Sequence, residues 1–241
     1  MAIVLFTDFG ADLYVGQVKA VLLEYAAAVP VIDLVHDAPA FDIAASAHLL
    51  SACVPRFAPG SIFLAVVDPG VGTERGALVG ECDGRILVGP DNGLLSVCGA
   101  RASTARFWSI AWRPEALSNS FHGRDLFAPI AGTIASGQWP ESRLAPKPAP
   151  DVTSSAEDTY AIIYIDRYGN ACTGVRASRV SRNAVLSIAG VRLRYAPVFG
   201  AVETGAPFWY ENSLGLVEIA AHRASAAATL GLQVGARITV E

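Results

Sequence analysis

The chain has 241 residues, of which 52% are hydrophobic and only 17% charged, with a formal net charge of −4. That length allows one large domain or two small ones, and the composition promises a sizeable core. No cluster of Lys and Arg is present to track a phosphate backbone, which argues against nucleic-acid binding. Asp, Pro or Gly breaks every apolar stretch well short of a bilayer span, so no membrane partner is expected.

The first residues, MAIVLFTDFG, carry no basic region and meet Asp8 at once, so they do not read as a signal peptide. Residues 3–6 read as a short buried strand, and a helical pattern follows from Val15 to Ala28. VPVIDLVH is a second strand. Residues 42–53 read as a helix with Asp42 as N-cap. SIFLAVVD is a third strand ending in an acid, and ALVGECDGRILVG reads as a hairpin around Asp83-Gly84. Strands alternating with helices predict an α/β/α layered N-terminal domain with a mostly parallel sheet, over residues 1–145. In such sheets ligands sit beyond the carboxyl ends of strands, where Asp8 and Asp68 both fall. A Pro-, Ser- and charge-rich stretch then reads as a linker, 146–158. Residues 159–241 are short strands punctuated by turns, which predicts a smaller β-rich, barrel-like domain. Cys53, Cys82, Cys98 and Cys172 form no CxxC pair and read as reduced, buried thiols of a cytoplasmic protein.

Several familiar chemistries fail on spacing. DFG at 8–10 has no other part of a kinase around it. Gly70-x-Gly72 would need a third glycine at position 75, which is Arg75, and strand rather than helix follows. No GK[ST] loop is present. His36, His48, His122 and His222 lack metal-ligand spacing, so no metal and no cofactor are expected, although a magnesium site built from aspartates stays open.

Five polar sets remain, each with an ordinary structural reading beside the functional one. Asp8 is a turn or capping residue, or a ligand. Asp68 and Arg75 are an ion pair, or half of an active site. His122, beside Gly123 in what reads as a polar loop, is structural or an acid-base group. Asp166, Tyr168 and Asn170 alternate at a strand end and could share one face. Asn212 and Ser213 follow the aromatic trio 208–210, whose simplest reading is core or subunit interface.

Taken together, TDFG (7–10), DPGVGTER (68–75), GPDNGLL (89–95), FHGRDLFAP (121–129), IDRYGN (165–170) and NSLGLVEIA (212–220) resemble the S-adenosylmethionine (SAM) hydroxide adenosyltransferases. These are SAM hydrolases, relatives of the SAM-dependent chlorinase and fluorinase. The resemblance runs over nearly the whole chain, in order. It implies hydrolysis of SAM to adenosine and methionine, an Asp68–Arg75–His122 triad, and a homotrimer with its site between the N-terminal domain of one subunit and the C-terminal domain of the next. By motif, Asp8 would hold the ribose hydroxyls, and Phe41 and Phe121 would flank the nucleoside. Asp166 would face the methionine ammonium and Ser213 its carboxylate, while Tyr168 and Asn170 would complete the adenosine side. Leu214 stands where the fluorinase has a basic residue, and 221–228 is less Asn/Gly-rich than in relatives. Both departures fall on carboxylate and adenine recognition.

The implied chemistry is physically sound. A sulfonium is already an excellent leaving group, so the protein need only place a water in line with the C5′–S bond. A carboxylate near pKa ~4 cannot deprotonate water near ~16, a gap of about 16 kcal/mol. Asp68 is therefore expected to orient the water, with Arg75 and His122 stabilising hydroxide character. A halogenase is the alternative, but a carboxylate about 4 Å from a halide repels it by ~1 kcal/mol even in water. The remaining alternatives are a non-catalytic nucleoside-binding protein and an Asp-based metal-dependent phosphohydrolase.

Overall fold

The computed structural model describes residues 1–241 and divides into two units, Met1–Ala156 and Glu157–Glu241. In the first unit, five consecutive buried residues form β1 (Ile3–Thr7). Helix α1 (Leu13–Ala26) follows. Its cap is Asp12, which accepts the Leu13 amide at 2.8 Å, so Asp8 is not used as a cap. Then come β2 (Val31–Val35), α2 (Ile43–Cys53) and β3 (Ile62–Val66). Asp42 caps α2 by accepting the Ala45 amide at 2.9 Å. Strands β4 (Ala77–Cys82) and β5 (Arg85–Pro90) form the hairpin. Its turn residues Asp83 and Gly84 both have positive φ, +47° and +76°, as a type I′ turn requires.

Four further elements complete the unit: α3 (Ser96–Arg101), β6 (Ala105–Ile110), α4 (Ala128–Ala135) and β7 (Leu144–Lys147). The sheet order is β2-β1-β3-β5-β4-β6-β7. β4 and β7 run against the other five strands, so the sheet is mostly parallel. Ile3, Leu5, Leu64 and Val66 pack with Leu22 of α1 and Ile130 of α4. The alternate residues Val4, Phe6, Phe63 and Ala65 are buried too, so the sheet is covered on both faces. The Pro- and Ser-rich stretch after Leu144 begins as an edge strand. Lys147 and the Asp151 amide both bond the buried Asp91 carboxylate, and the Ser154 amide bonds Ser96.

The second unit holds β8 (Thr159–Ile165), β9 (Ala171–Arg176), β10 (Leu186–Ile188), β11 (Val191–Leu193), β12 (Pro207–Glu211), β13 (Leu216–Ala221), α5 (Ala226–Leu230) and β14 (Thr239–Val240). They form two antiparallel sheets, β12-β13-β9-β8 and β11-β10-β14. Ile162, Val175, Leu186, Trp209 and Ile219 make their common core. Of the aromatic trio, Phe208 and Trp209 are buried core residues. No helix of the chain is long and apolar enough to cross a membrane.

Candidate active site

Asp68 leaves the sheet just past β3, and Arg75 precedes β4. The loop between them doubles back, so that the Arg75 guanidinium grips the Asp68 carboxylate. Arg75 Nε donates to Oδ1 at 2.9 Å and to Oδ2 at 3.1 Å, and Nη2 donates to Oδ2. Both side chains are buried, 5% and 10% exposed. Arg75 Nη1 donates to the Gly76 carbonyl at 3.0 Å, and the guanidinium lies over the Phe127 ring at 5.2 Å.

The third polar residue arrives from 47 positions downstream. His122 was expected in a polar loop. Instead it opens a π-helical turn, Gly123–Phe127, that runs directly into α4. The reason is apolar: Leu126, Phe127, Ile130 and Ala131 are all buried in the core and pull the segment into helix. His122 Nδ1 lies 2.9 Å from Arg75 Nη2. An arginine can only donate, so Nδ1 must accept. The imidazole is therefore neutral, with its proton on Nε2. Burial lowers its pKa, and the Arg75 charge lowers it further, outweighing the opposing pull of Asp68.

A cavity of about 100 Å³ is lined by Asp8, Phe9, Phe41, Asp68, Phe121 and His122, with Val66, Pro69, Val71, Ser120 and Gly123. That is room for a few waters or the reacting atoms, well short of the few hundred Å³ a whole nucleoside substrate takes up. Asp8 shares this wall. Burial raises its pKa and the nearby Asp68 charge adds to the rise, while its own backbone N–H opposes. The turn that carries Asp8 is pinned from behind: the Thr7 hydroxyl meets His36 Nδ1 at 2.8 Å and the Gly10 amide donates to the His36 carbonyl. Phe121 is packed between Phe9 and Tyr14, with Arg124 stacked 5.0 Å above it. Phe41 is the opposite case. It is 81% exposed and held at φ +64°, a conformation unusual for a bulky residue. Strain of that kind concentrates at functional positions.

The candidates in the second unit separate. Asp166, Tyr168 and Asn170 lie in the β8–β9 turn, not on one strand face. The Asp166 carboxylate braces that turn, accepting the Tyr168 and Asn170 amides at 2.8 and 2.9 Å and Asn170 Nδ2 at 2.8 Å. Tyr168 and Asn170 line an open cavity of about 510 Å³, together with Phe199, Ala221, Arg223, Ala224 and Ser225. Ser213 is exposed and is not among those residues.

The sequence reading missed a buried group beside them. Glu218 on β13 bonds Tyr210 and accepts Asn212 Nδ2 at 2.9 Å, and Asn212 Oδ1 accepts the Leu214 and Leu216 amides, shaping the loop that carries Ser213. Burial pushes the Glu218 carboxyl up; the bonds from Tyr210 and Asn212 oppose, and Asp166 adds to the rise. A charge inside the apolar run LVEIA was the available signal, since strands bury such a group only with partners. No group of three or more His, Cys, Asp or Glu side chains is placed to hold a metal ion.

Family models match both units. The model described as the SAM hydroxide adenosyltransferase N-terminal domain covers residues 3–143, and that of the C-terminal domain covers 160–239. The chain belongs to the SAM hydroxide adenosyltransferase family. A relative from Thermus thermophilus, named (R)-S-adenosyl-L-methionine hydrolase, is 37% identical, the match covering 95% of each chain. One of the same name from Salinispora tropica is 33% identical over 97% of this chain and 95% of its own. A solved structure of an uncharacterized conserved protein from Thermotoga maritima superposes with a TM-score of 0.89 at 28% identity, covering 99% of both chains. A conserved hypothetical protein from Thermus thermophilus gives 0.80 at 34%, covering 100% of this chain and 99% of that one.

The His122 tautomer has a pH consequence. Protonating Nδ1 breaks the bond from Arg75 and sets two cations side by side. Turnover is expected to be level through neutral pH and to fall in acid, below the ordinary histidine value of about 6.5. Stability follows the same sign: the unfolded chain takes up the proton first, so stability is full above the ordinary value and is lost as pH falls toward the lowered one. A kcat/KM profile of wild type and His122→Gln checks this. An acid limb that survives unchanged in the variant would assign it to another group.

Proposed function

We propose that this protein hydrolyses SAM to adenosine and L-methionine by attack of an oriented water at C5′. One observation carries the reading: Asp68 and His122, joined through the Arg75 guanidinium, both line a small cavity walled by aromatic side chains. In this reading the water lies against Asp68, with its lone pair toward C5′. Asp68 keeps free lone pairs although both its oxygens accept from Arg75. The C5′–O bond forms as the C5′–S bond breaks, and the sulfur keeps the bonding pair and leaves as the neutral thioether of methionine. Proton transfer to Asp68 becomes downhill only as the oxygen acquires positive charge, so no free hydroxide is needed. His122 Nε2–H is a donor in this tautomer, so it can orient the water by donating to the lone pair not used in attack, and it cannot remove the proton.

The finer assignments belong to the same proposal. Asp8 takes the ribose hydroxyls, and Phe41 and Phe121 flank the nucleoside. Tyr168 and Asn170 serve the adenosine side, Asp166 the methionine ammonium and Ser213 the carboxylate. The protein acts as a homotrimer in the cytoplasm, without metal or cofactor. The small size of the Asp68 cavity supports a site that other surfaces complete. The test is SAM incubated with purified protein in ¹⁸O-water containing chloride. The expected products are unlabelled methionine and adenosine labelled at the 5′-hydroxyl. 5′-Chloro-5′-deoxyadenosine would make the protein a halogenase, and methionine release with no label in adenosine would exclude attack at C5′.

A further inference from the structure

The GPDN segment, 89–92, spans the end of β5 and the two residues after it, and has no part in the chemistry above. Neither Asp91 nor Asn92 lines the cavity beside Asp68. Yet this short segment holds both ends of the loop that carries Asp68 and Arg75. At the far end, the Asp91 amide donates to the Gly76 carbonyl at 3.0 Å. That same carbonyl accepts Arg75 Nη1 at 3.0 Å. Asp91 is itself fixed, its buried carboxylate bound to Lys147 at 2.8 Å and to the Asp151 amide at 3.1 Å. At the near end, Asn92 Nδ2 donates to the Val67 carbonyl at 2.9 Å. The other half of that peptide unit is the nitrogen of Asp68. A bond to the Val67 oxygen therefore sets the peptide plane from which the Asp68 side chain departs. Asn92 Oδ1 meanwhile accepts the Leu94 amide at 3.2 Å, closing its own turn.

We infer that Asn92 is a positioning residue for Asp68: its amide clamps the start of the Asp68–Arg75 loop while Asp91 clamps the end. This rests on the hydrolase reading above. The two halves of the amide have separate jobs, and one substitution divides them. In Asn92→Ser the hydroxyl can still accept the Leu94 amide as a short turn cap. It is too short to reach the Val67 oxygen, and it adds no charge near Arg75. Displacing a group by about 1 Å costs on the order of a hundredfold in rate.

The experiment compares Asn92→Ser with wild type, alone and on an Asp68→Asn background, by single-turnover SAM cleavage and by calorimetric binding of adenosine. The expected result is a kcat roughly ten- to a hundredfold lower, with adenosine affinity within about threefold of wild type. On the Asp68→Asn background the same substitution should cost less than about threefold, because Asn92 acts through Asp68. A kcat within threefold of wild type, or an equal loss on both backgrounds, overturns the inference. A general weakening of the fold would produce that equal loss and would also lower adenosine affinity. Wild-type protein that binds adenosine but cleaves no SAM would instead refute the hydrolase reading.

Discussion

Asp68→Ala is expected to lower kcat by about a thousandfold and to change SAM affinity by less than about tenfold. The carboxylate meets the reacting water, and its contribution grows as the oxygen gains positive charge, so the loss falls on the transition state. Single-turnover rates with calorimetric binding check this, and an unchanged kcat with weaker binding would sink the role. The substitution has a second effect. Arg75 is only 10% exposed, and without Asp68 its partners are the Gly76 carbonyl and His122 Nδ1. Stranding a buried charge costs about 3–5 kcal/mol. Asp68→Asn keeps the shape and one acceptor for Arg75, so it should stay better folded while losing comparable turnover. That pairing separates the chemistry from the fold.

The elements that could be read from the sequence are those whose residues obey one local rule. β1 and β3 are short continuous apolar runs. Asp42 stands one residue before its helix, and Asp83-Gly84 leaves little choice but a tight hairpin. Where the rule is diluted, the reading stops. α4 is APIAGTIA, small and apolar all round, so no polar face marks it as a helix. β12 buries Phe208 and Trp209 in succession, because its two faces meet different cores, and it shows no alternation. Asp8 and Asp12 are equivalent by composition, and only the backbone decides that Asp12 caps α1. The site divides in the same way. Asp68 and Arg75 are linked by a single loop. His122 approaches from 47 residues away, so no spacing argument could bring it to Arg75; the family motifs alone suggested it. Asp166 reads as a ligand by position, and nothing in the sequence shows that its carboxylate also braces its own turn. Nothing in the residues around Phe41 announces a strained, exposed ring.

Gly72→Ala is expected to be among the most damaging single-methyl additions to this chain. Of the glycines in DPGVGTER, Gly72 has φ +78°, and a Cβ there would sit 2.3 Å from the Asn119 carbonyl oxygen. Asn119 stands three residues before His122. Gly72 is thus the point where the Asp68–Arg75 loop touches the segment that delivers the histidine. A side chain cannot fold away from a backbone oxygen, so one segment must move. Left-handed strain and overpacking together cost about 2–5 kcal/mol, which lowers Tm by roughly 5–15 °C in a chain of this size. The displacement also separates Arg75 from His122, and turnover should fall about a hundredfold even where the protein remains folded. Gly70→Ala is the control. It has no positive φ, and its Cβ would meet nothing closer than the Thr73 hydroxyl at 3.6 Å, an ordinary contact. Thermal melts and kcat for the two variants decide the matter. If Gly72→Ala matches Gly70→Ala in both, the loop does not depend on close approach at Asn119, and the alignment of Arg75 with His122 must be set elsewhere.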